Sequence, residues 1–248
     1  MAQPLVPPLT PLALSIEELN STYAGISAAE LLAELITEIY GNKIALVSSF
    51  GAESAVLLHM VSQIDKDTPV IFLDTGKLFA ETLKYQKKIS AHLGLTNIEV
   101  HRPDPIHEAD FDPDLDLSKT NNTVCCFFRK VVPLRKALRG HSAWITGRKS
   151  HQAITRAQLP RFERDGQHIK VNPLANWSPE DVAAYMAKHD LPAHPLVARG
   201  YPSIGCADCT TKVVPGEDAR AGRWRNDEGK DECGIHFVGG KIVRSNAA

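Results

Sequence analysis

The stretch Lys43-Ile-Ala-Leu-Val-Ser-Ser-Phe-Gly-Ala-Glu-Ser54 constrains this chain more than any other. It opens as a short apolar run, residues 44–47, of the kind a buried parallel strand shows. It breaks into small residues, Ser48, Ser49, Gly51 and Ala52, and resumes as an apolar-periodic helix over residues 55–61. A strand, a tight loop and a helix N-terminus make an anion site, because loop N–H groups and the helix dipole converge there. Gly51 permits close backbone approach, and the hydroxyls of Ser48, Ser49 and Ser54 can donate to phosphate oxygens. The plainer alternative is a strand-to-helix turn with Ser54 as N-cap. The loop is neither a Walker A nor a GxGxxG motif: the Lys and the glycine spacing are both missing.

The pattern around it repeats strand and helix. Ser27-Ala-Ala-Glu30 is a capping box for a helix to about Tyr40, with Gly41 after it. Residues 69–76 read as a second buried strand ending in the polar turn Asp74-Thr75-Gly76. Residues 80–93 read as a helix stopped by Gly94, and 98–100 as a third strand. This order predicts an α/β fold: a mostly parallel twisted sheet with helices on both faces, binding ligand at the carboxyl ends of its strands. Residues 102–122, acidic and Pro-rich, read as a surface loop. Residues 123–138 read as a helix with a kink at Pro133. A fourth strand, 143–146, leads into the cationic loop Gly147-Arg-Lys-Ser-His-Gln-Ala-Ile-Thr-Arg156. Residues 162–171 read as a hairpin turning at Asp165-Gly166, and Ser178-Pro-Glu-Asp starts a helix to about His189. Regular structure is hard to place after Leu191. The expected organisation is a flexible lead-in over 1–26, one α/β domain over 27–224 and a mobile tail over 225–248.

With 248 residues and a formal charge of −1, the chain suits one domain and does not suit nucleic acid. No apolar run is long enough to span a membrane, and the N-terminus lacks a signal peptide's charged start. A cytoplasmic location is the default reading, and there five cysteines point to metal or catalysis rather than disulfides. Cys125-Cys126 and Cys206-Ala-Asp-Cys209 together supply four thiolates. The choice lies between zinc and an iron–sulfur cluster. Adjacent side chains strain a tetrahedron around one zinc, whereas a cubane spreads its ligands over four irons, which favours [4Fe–4S]. Arg129 and Lys130, one turn on, suit either a solvated face or compensation of cluster charge. Cys233 stands apart near the C-terminus, after a polar segment, where a thiol can pass between two sites. Arg220, Arg223, Arg225 and His236 are cations that would favour its thiolate.

Taken together, these residues resemble the assimilatory adenosine 5′-phosphosulfate reductases, within the wider phosphoadenylylsulfate reductase family. The resemblance rests on Ser49-Phe-Gly-Ala-Glu-Ser54, Leu73-Asp-Thr-Gly76, Cys125-Cys126 with Arg129-Lys130-Val-Val-Pro-Leu134, and Gly205-Cys-Ala-Asp-Cys-Thr210 leading into Gly216-Glu-Asp-Ala-Arg-Ala-Gly-Arg-Trp224. Glu232-Cys-Gly-Ile-His236 is its most specific part. It implies an adenine-nucleotide α-hydrolase-like fold. It also implies thioredoxin- or glutaredoxin-dependent reduction of adenosine 5′-phosphosulfate to sulfite and AMP, a step of sulfate assimilation leading to cysteine, by a homo-oligomer. Cys233 would be the nucleophile, forming an S-sulfocysteine. Cys125, Cys126, Cys206 and Cys209 would ligate [4Fe–4S], with Lys130 linking cluster and substrate. Substrate contacts would come from Ser48, Ser49, Phe50, Gly51, Ala52, Glu53 and Ser54, from Leu73, Asp74, Thr75 and Gly76, and from Gly147, Arg148, Arg156, Arg220, Arg223 and His236. Where the family often carries Arg-Arg-Asp/Glu-Gln-Ser after Gly147, this chain reads Arg148-Lys-Ser-His-Gln.

Two rival readings are an ATP-dependent adenylating or thiolating enzyme of the same fold and a preference for the 3′-phosphorylated substrate. The first usually carries Ser-Gly-Gly-x-Asp-Ser at the loop, where this chain has Phe50, Ala52 and Glu53. The paired cysteines speak against the second.

Overall fold

Four short, largely buried strands form the centre of the molecule, whose computed structural model describes residues 14–225, 232, 234 and 235. They are β1 (Ile44–Ser48), β2 (Val70–Leu73), β4 (Ala143–Ile145) and β6 (His168–Val171). With the edges β3 (Ile98–His101) and β5 (Phe162–Asp165) they form one sheet of order β3-β2-β1-β4-β6-β5. All pairings are parallel except β5 with β6, the expected hairpin. Residues of alternate parity go to opposite faces. Ile44, Leu46, Val70, Phe72, Ala143 and Ile145 join the larger core cluster. Ala45, Ile71, Leu73 and Trp144 join a second one, closed by Leu134, Ala137 and Leu138. Burial on both faces is what a parallel sheet covered by helices requires.

The helices are α1 (Ile16–Thr22), α2 (Ala28–Glu34), α3 (Ser54–Ile64), α4 (Ala80–Leu93), α5 (Pro105–Phe111), α6 (Leu117–Thr120), α7 (Asn122–Cys126), α8 (Val132–Ala137) and α9 (Pro179–Lys188). The capping boxes at Ser27 and Ser178 form, and Gly94 ends α4 at φ 68°. The kink expected at Pro133 is a π-helical turn, Phe127–Val131, between α7 and α8. Pro133 has no N–H to give, and the widened turn absorbs the missing bond.

Two expectations need correction. The lead-in over residues 1–26 contains α1, whose Ser15–Glu18 capping box holds the first turn and whose Leu19 is wholly buried. Within that helix, Asn20 uses its amide as a substitute strand: Nδ2 donates to the Phe162 carbonyl and Oδ1 accepts the Phe162 N–H, both at 3.0 Å. The loop expected over residues 102–122 holds α5, α6 and the start of α7. Asp104 caps α5, and Asn121 caps α7. Among the described residues no helix is long and apolar enough to cross a membrane.

Candidate active site

The loop after β1 carries the strain expected of a working site. Phe50 adopts φ 49°, a left-handed conformation that costs a non-glycine residue energy and that recurs in anion-binding backbone nests. Its ring is fully buried and meets Phe72 edge-on at 5.0 Å, so the core holds the loop in that shape. The Phe50 N–H donates to Ser48 Oγ at 3.2 Å. Ser54 is not the N-cap, as the plainer reading had it: Glu53 takes that position, and Ser54 Oγ donates back to the Gly51 carbonyl at 2.7 Å.

This loop forms one wall of a cavity of about 270 Å³ at the carboxyl ends of β1, β2 and β4. Of the expected contacts, Ser48, Ser49, Gly51, Ala52, Glu53, Ser54, Leu73, Thr75, Lys130, Gly147, Arg148, Arg156, Arg220 and Arg223 line it. Phe50, Asp74 and Gly76 do not. Phe50 is a core residue. Asp74 accepts from Arg102 at 2.8 Å and from the Gly76 N–H at 3.1 Å, which fixes the turn after β2. Cys233 and His236 lie outside the described residues. Their neighbours Glu232 and Ile235 line the cavity.

The cations on its rim are held by specific partners. Lys149, only 2% exposed, donates to Glu53 at 2.7 Å and to the Gly147 carbonyl at 3.1 Å. Burial lowers its pKa and Glu53 opposes that. Arg148 pairs with Glu163 and with Asn172 Oδ1 at 3.1 Å. Burial, with Arg156 nearby, holds it down at about 10. Arg156 pairs with Glu232. Arg223 lies 4.3 Å from the Trp224 ring centre and Arg220 5.6 Å, so one indole carries two guanidinium groups. Sequence reasoning missed Lys149, Gln152, Trp224 and Glu232 as cavity-lining residues. Lys149 and Gln152 sit inside the cationic loop that drew notice, and Lys170 interrupts an apolar strand. Lys170 is 2% exposed, stands 4.7 Å over the Trp144 ring and is lowered to about 7 by burial, with Arg148 adding to the effect.

The two cysteine pairs meet at the turn after β2. Thr75 Oγ1 lies 3.3 Å from Cys206 Sγ, and the Thr75 carbonyl accepts from Arg129 Nη1 at 2.9 Å. The Ala207 N–H donates to the Lys77 carbonyl, and Ser118 Oγ donates to Asp208. Cys125, Cys126 and Cys206 are buried and Cys209 is half-buried. Burial pushes the Cys125 thiol up to about 11; Arg129 opposes this, while Cys206 and Cys209 add to it. Arg129 is neither solvated nor a lone cation: it is 1% exposed and paired with Asp112 at 2.6 Å and Glu108 at 2.5 Å. Its Nε is buried without a partner among the described residues, one turn from Cys125. Among the described residues no three His, Cys, Asp or Glu side chains stand close enough together to hold a metal ion. The donor set nonetheless suits a thiolate-ligated cluster, whose four cysteines bind four different irons and whose sulfurs accept hydrogen bonds; the unpartnered Arg129 N–H is such a donor.

The cysteine turn also braces the anion-facing cations. The Trp224 backbone N–H donates to the Cys209 carbonyl at 3.0 Å, and the Thr211 backbone N–H to the Gly222 carbonyl at 2.8 Å. Lys130, on the π-turn that follows α7, lines the cavity.

The profile of the phosphoadenosine phosphosulfate reductase domain matches residues 43–212. The adenosine 5′-phosphosulfate reductase of Mesorhizobium japonicum is 49% identical over 230 residues, 93% of this chain and 90% of its own. That of a Chelativorans species is 51% identical over 242 residues, 96% of this chain and 98% of its own. Among solved structures, phosphoadenylyl-sulfate reductase from Candida auris, in a phosphate complex, superposes with TM-score 0.68. It is 29% identical and covers 81% of this chain and 98% of its own. Yeast FAD synthetase, 16% identical, superposes with TM-score 0.51, covers 79% of this chain and 74% of its own, and shares the fold.

Proposed function

Since the chain belongs to the phosphoadenosine phosphosulfate reductase family, we propose that it reduces adenosine 5′-phosphosulfate to sulfite and AMP, using a dithiol protein of the thioredoxin or glutaredoxin type. One observation carries this reading. The strained loop 49–54, the cations Lys130, Arg220 and Arg223, and the chain neighbours of Cys233 all line one cavity.

The substrate is anionic at both its phosphate and its sulfonate, so an approaching thiolate meets repulsion. Loop N–H groups, the α3 N-terminus and the Trp224-backed guanidinium groups offset that charge and stabilise the departing phosphate. The Cys233 thiolate attacks the sulfonate sulfur. An S–S bond forms, the S–O bond to phosphate breaks, and AMP leaves with the electron pair. A donor thiolate then attacks Cys233 Sγ and sulfite leaves with the S–S electron pair. The donor's second thiol resolves the mixed disulfide, so the dithiol supplies both electrons and Cys233 is regenerated. Cys125, Cys126, Cys206 and Cys209 would hold a [4Fe–4S] cluster, which would supply negative charge and tie the two cysteine segments together.

The test mixes anaerobic protein with adenylylsulfate labelled in sulfur. Label retained on Cys233, released as sulfite by dithiol and abolished in Cys233→Ser with the visible chromophore unchanged, is the expected result. A Cys233→Ser protein that still forms sulfite overturns the reading. Running the 3′-phosphorylated nucleotide alongside decides substrate preference.

A further inference from the structure

We infer that Glu232 is a positioning residue: its carboxylate, clamped by Arg156, seats the segment next to the nucleophile against the cavity. The inference rests on the reading of Cys233 given above. Arg156 is 6% exposed, and its guanidinium is consumed by protein groups. Nε and Nη2 go to the two oxygens of Glu232, the latter at 2.6 Å, and Nη1 goes to Gln152. Two parallel bonds between guanidinium and carboxylate fix orientation as well as distance. Three residues further along the chain, Ile235 packs against the second core cluster, the one that contains Trp144 and Ile71. The described residues of the segment are therefore held at two points, Glu232 by a charge and Ile235 by apolar packing.

The clamp is tied to the substrate loop. Gln152, which accepts from Arg156, donates through Nε2 to Glu53 at 2.9 Å. A continuous hydrogen-bonded path thus runs from Glu53, the N-cap of α3, through Gln152 and Arg156 to Glu232. Along it the charges cancel, Glu53 against Lys149 and Glu232 against Arg156. Charge on a bound dianion is then balanced by groups elsewhere in the cavity, Arg220 and Arg223 among them.

The test uses the full-length protein and two independent readouts. Cys233 alkylation by iodoacetamide, without nucleotide, reports seating. Steady-state kinetics report turnover. Glu232→Gln is expected to speed alkylation of Cys233 by roughly thirtyfold, the scale of losing one partner of a buried charge pair, with the other four cysteines as the internal reference. It is expected to lower kcat while KM for adenylylsulfate stays within about twofold. The exchanged pair Arg156→Glu with Glu232→Arg is expected to recover the slow alkylation. An unchanged alkylation rate in Glu232→Gln overturns the inference. So does an Arg156→Gln protein whose AMP affinity falls about tenfold while its Cys233 stays protected. Failure of the proposed reaction shows separately, as wild-type protein that makes no sulfite, because alkylation requires no substrate.

Discussion

Glu53→Gln tests whether the cavity wall depends on one charge pair. Lys149 is 2% exposed, and its ammonium has the Glu53 carboxylate at 2.7 Å and the Gly147 carbonyl at 3.1 Å. Removing one partner of a fully buried pair costs about 3–5 kcal/mol. Glu53 is 32% exposed on its side chain, and a glutamine oxygen still accepts from Lys149, so the expected loss at pH 7 is about 2 kcal/mol. In a chain of this length that lowers Tm by about 4–8 °C. The sign with pH follows from Lys149. Burial already depresses its folded pKa below the ordinary 10.5, and without Glu53 it falls further. The unfolded chain then binds the extra proton between those two values, so the stability of the variant rises with pH through that window. The assay is urea unfolding at pH 7 and pH 9.5 for wild type, Glu53→Gln and Glu53→Gln/Lys149→Met. The deficit should shrink at the higher pH, and the double variant should recover more than half of it. A double variant no more stable than the single, or a deficit independent of pH, refutes the argument.

Gly205→Ala places a methyl group on top of the Arg223 guanidinium. The guanidinium must move off its place against Trp224, and calorimetry should show AMP binding weakened about tenfold, the size of one charge-assisted hydrogen bond, with Tm nearly unchanged. His194 is 1% exposed, with Nδ1 accepting the Leu196 N–H and Nε2 facing Thr82 Oγ1 at 3.1 Å. Burial lowers it to about 4, with Glu81 opposing, so the folded state prefers the neutral ring. The stability it confers is intact above the ordinary 6.5 and is lost as pH falls towards 4, about 2 kcal/mol of it between pH 7 and pH 5. Urea midpoints at the two values should show that loss in wild type and not in His194→Gln; equal losses in both count against it.

What could be read in advance was local. The β1 run, the Ser27 and Ser178 capping boxes, the Gly94 stop and the hairpin after Phe162 each announce themselves within a few residues, because caps and turns are short-range chemistry. The acidic stretch around α5 and α6 hid its helices for the opposite reason. Asp112 and Glu108 look like solvated charges until Arg129, reaching from another helix, neutralises them inside the protein. The Glu53–Lys149 and Arg156–Glu232 pairs join residues 96 and 76 positions apart. No window of sequence contains both members, so the protein partners of the cationic loop are invisible to a local reading. The missed α1 is a single short helix of about two turns, held by tertiary contact with β5.

That contact matters beyond the fold. Phe162 begins the outermost strand, and a bare peptide group there would invite any extended chain to dock and grow a cross-chain ladder. The Asn20 amide fills both of its bonding positions. A borrowed side chain thus acts as a chain terminator for the sheet, protecting the molecule from polymerising along its own rim in a crowded solution.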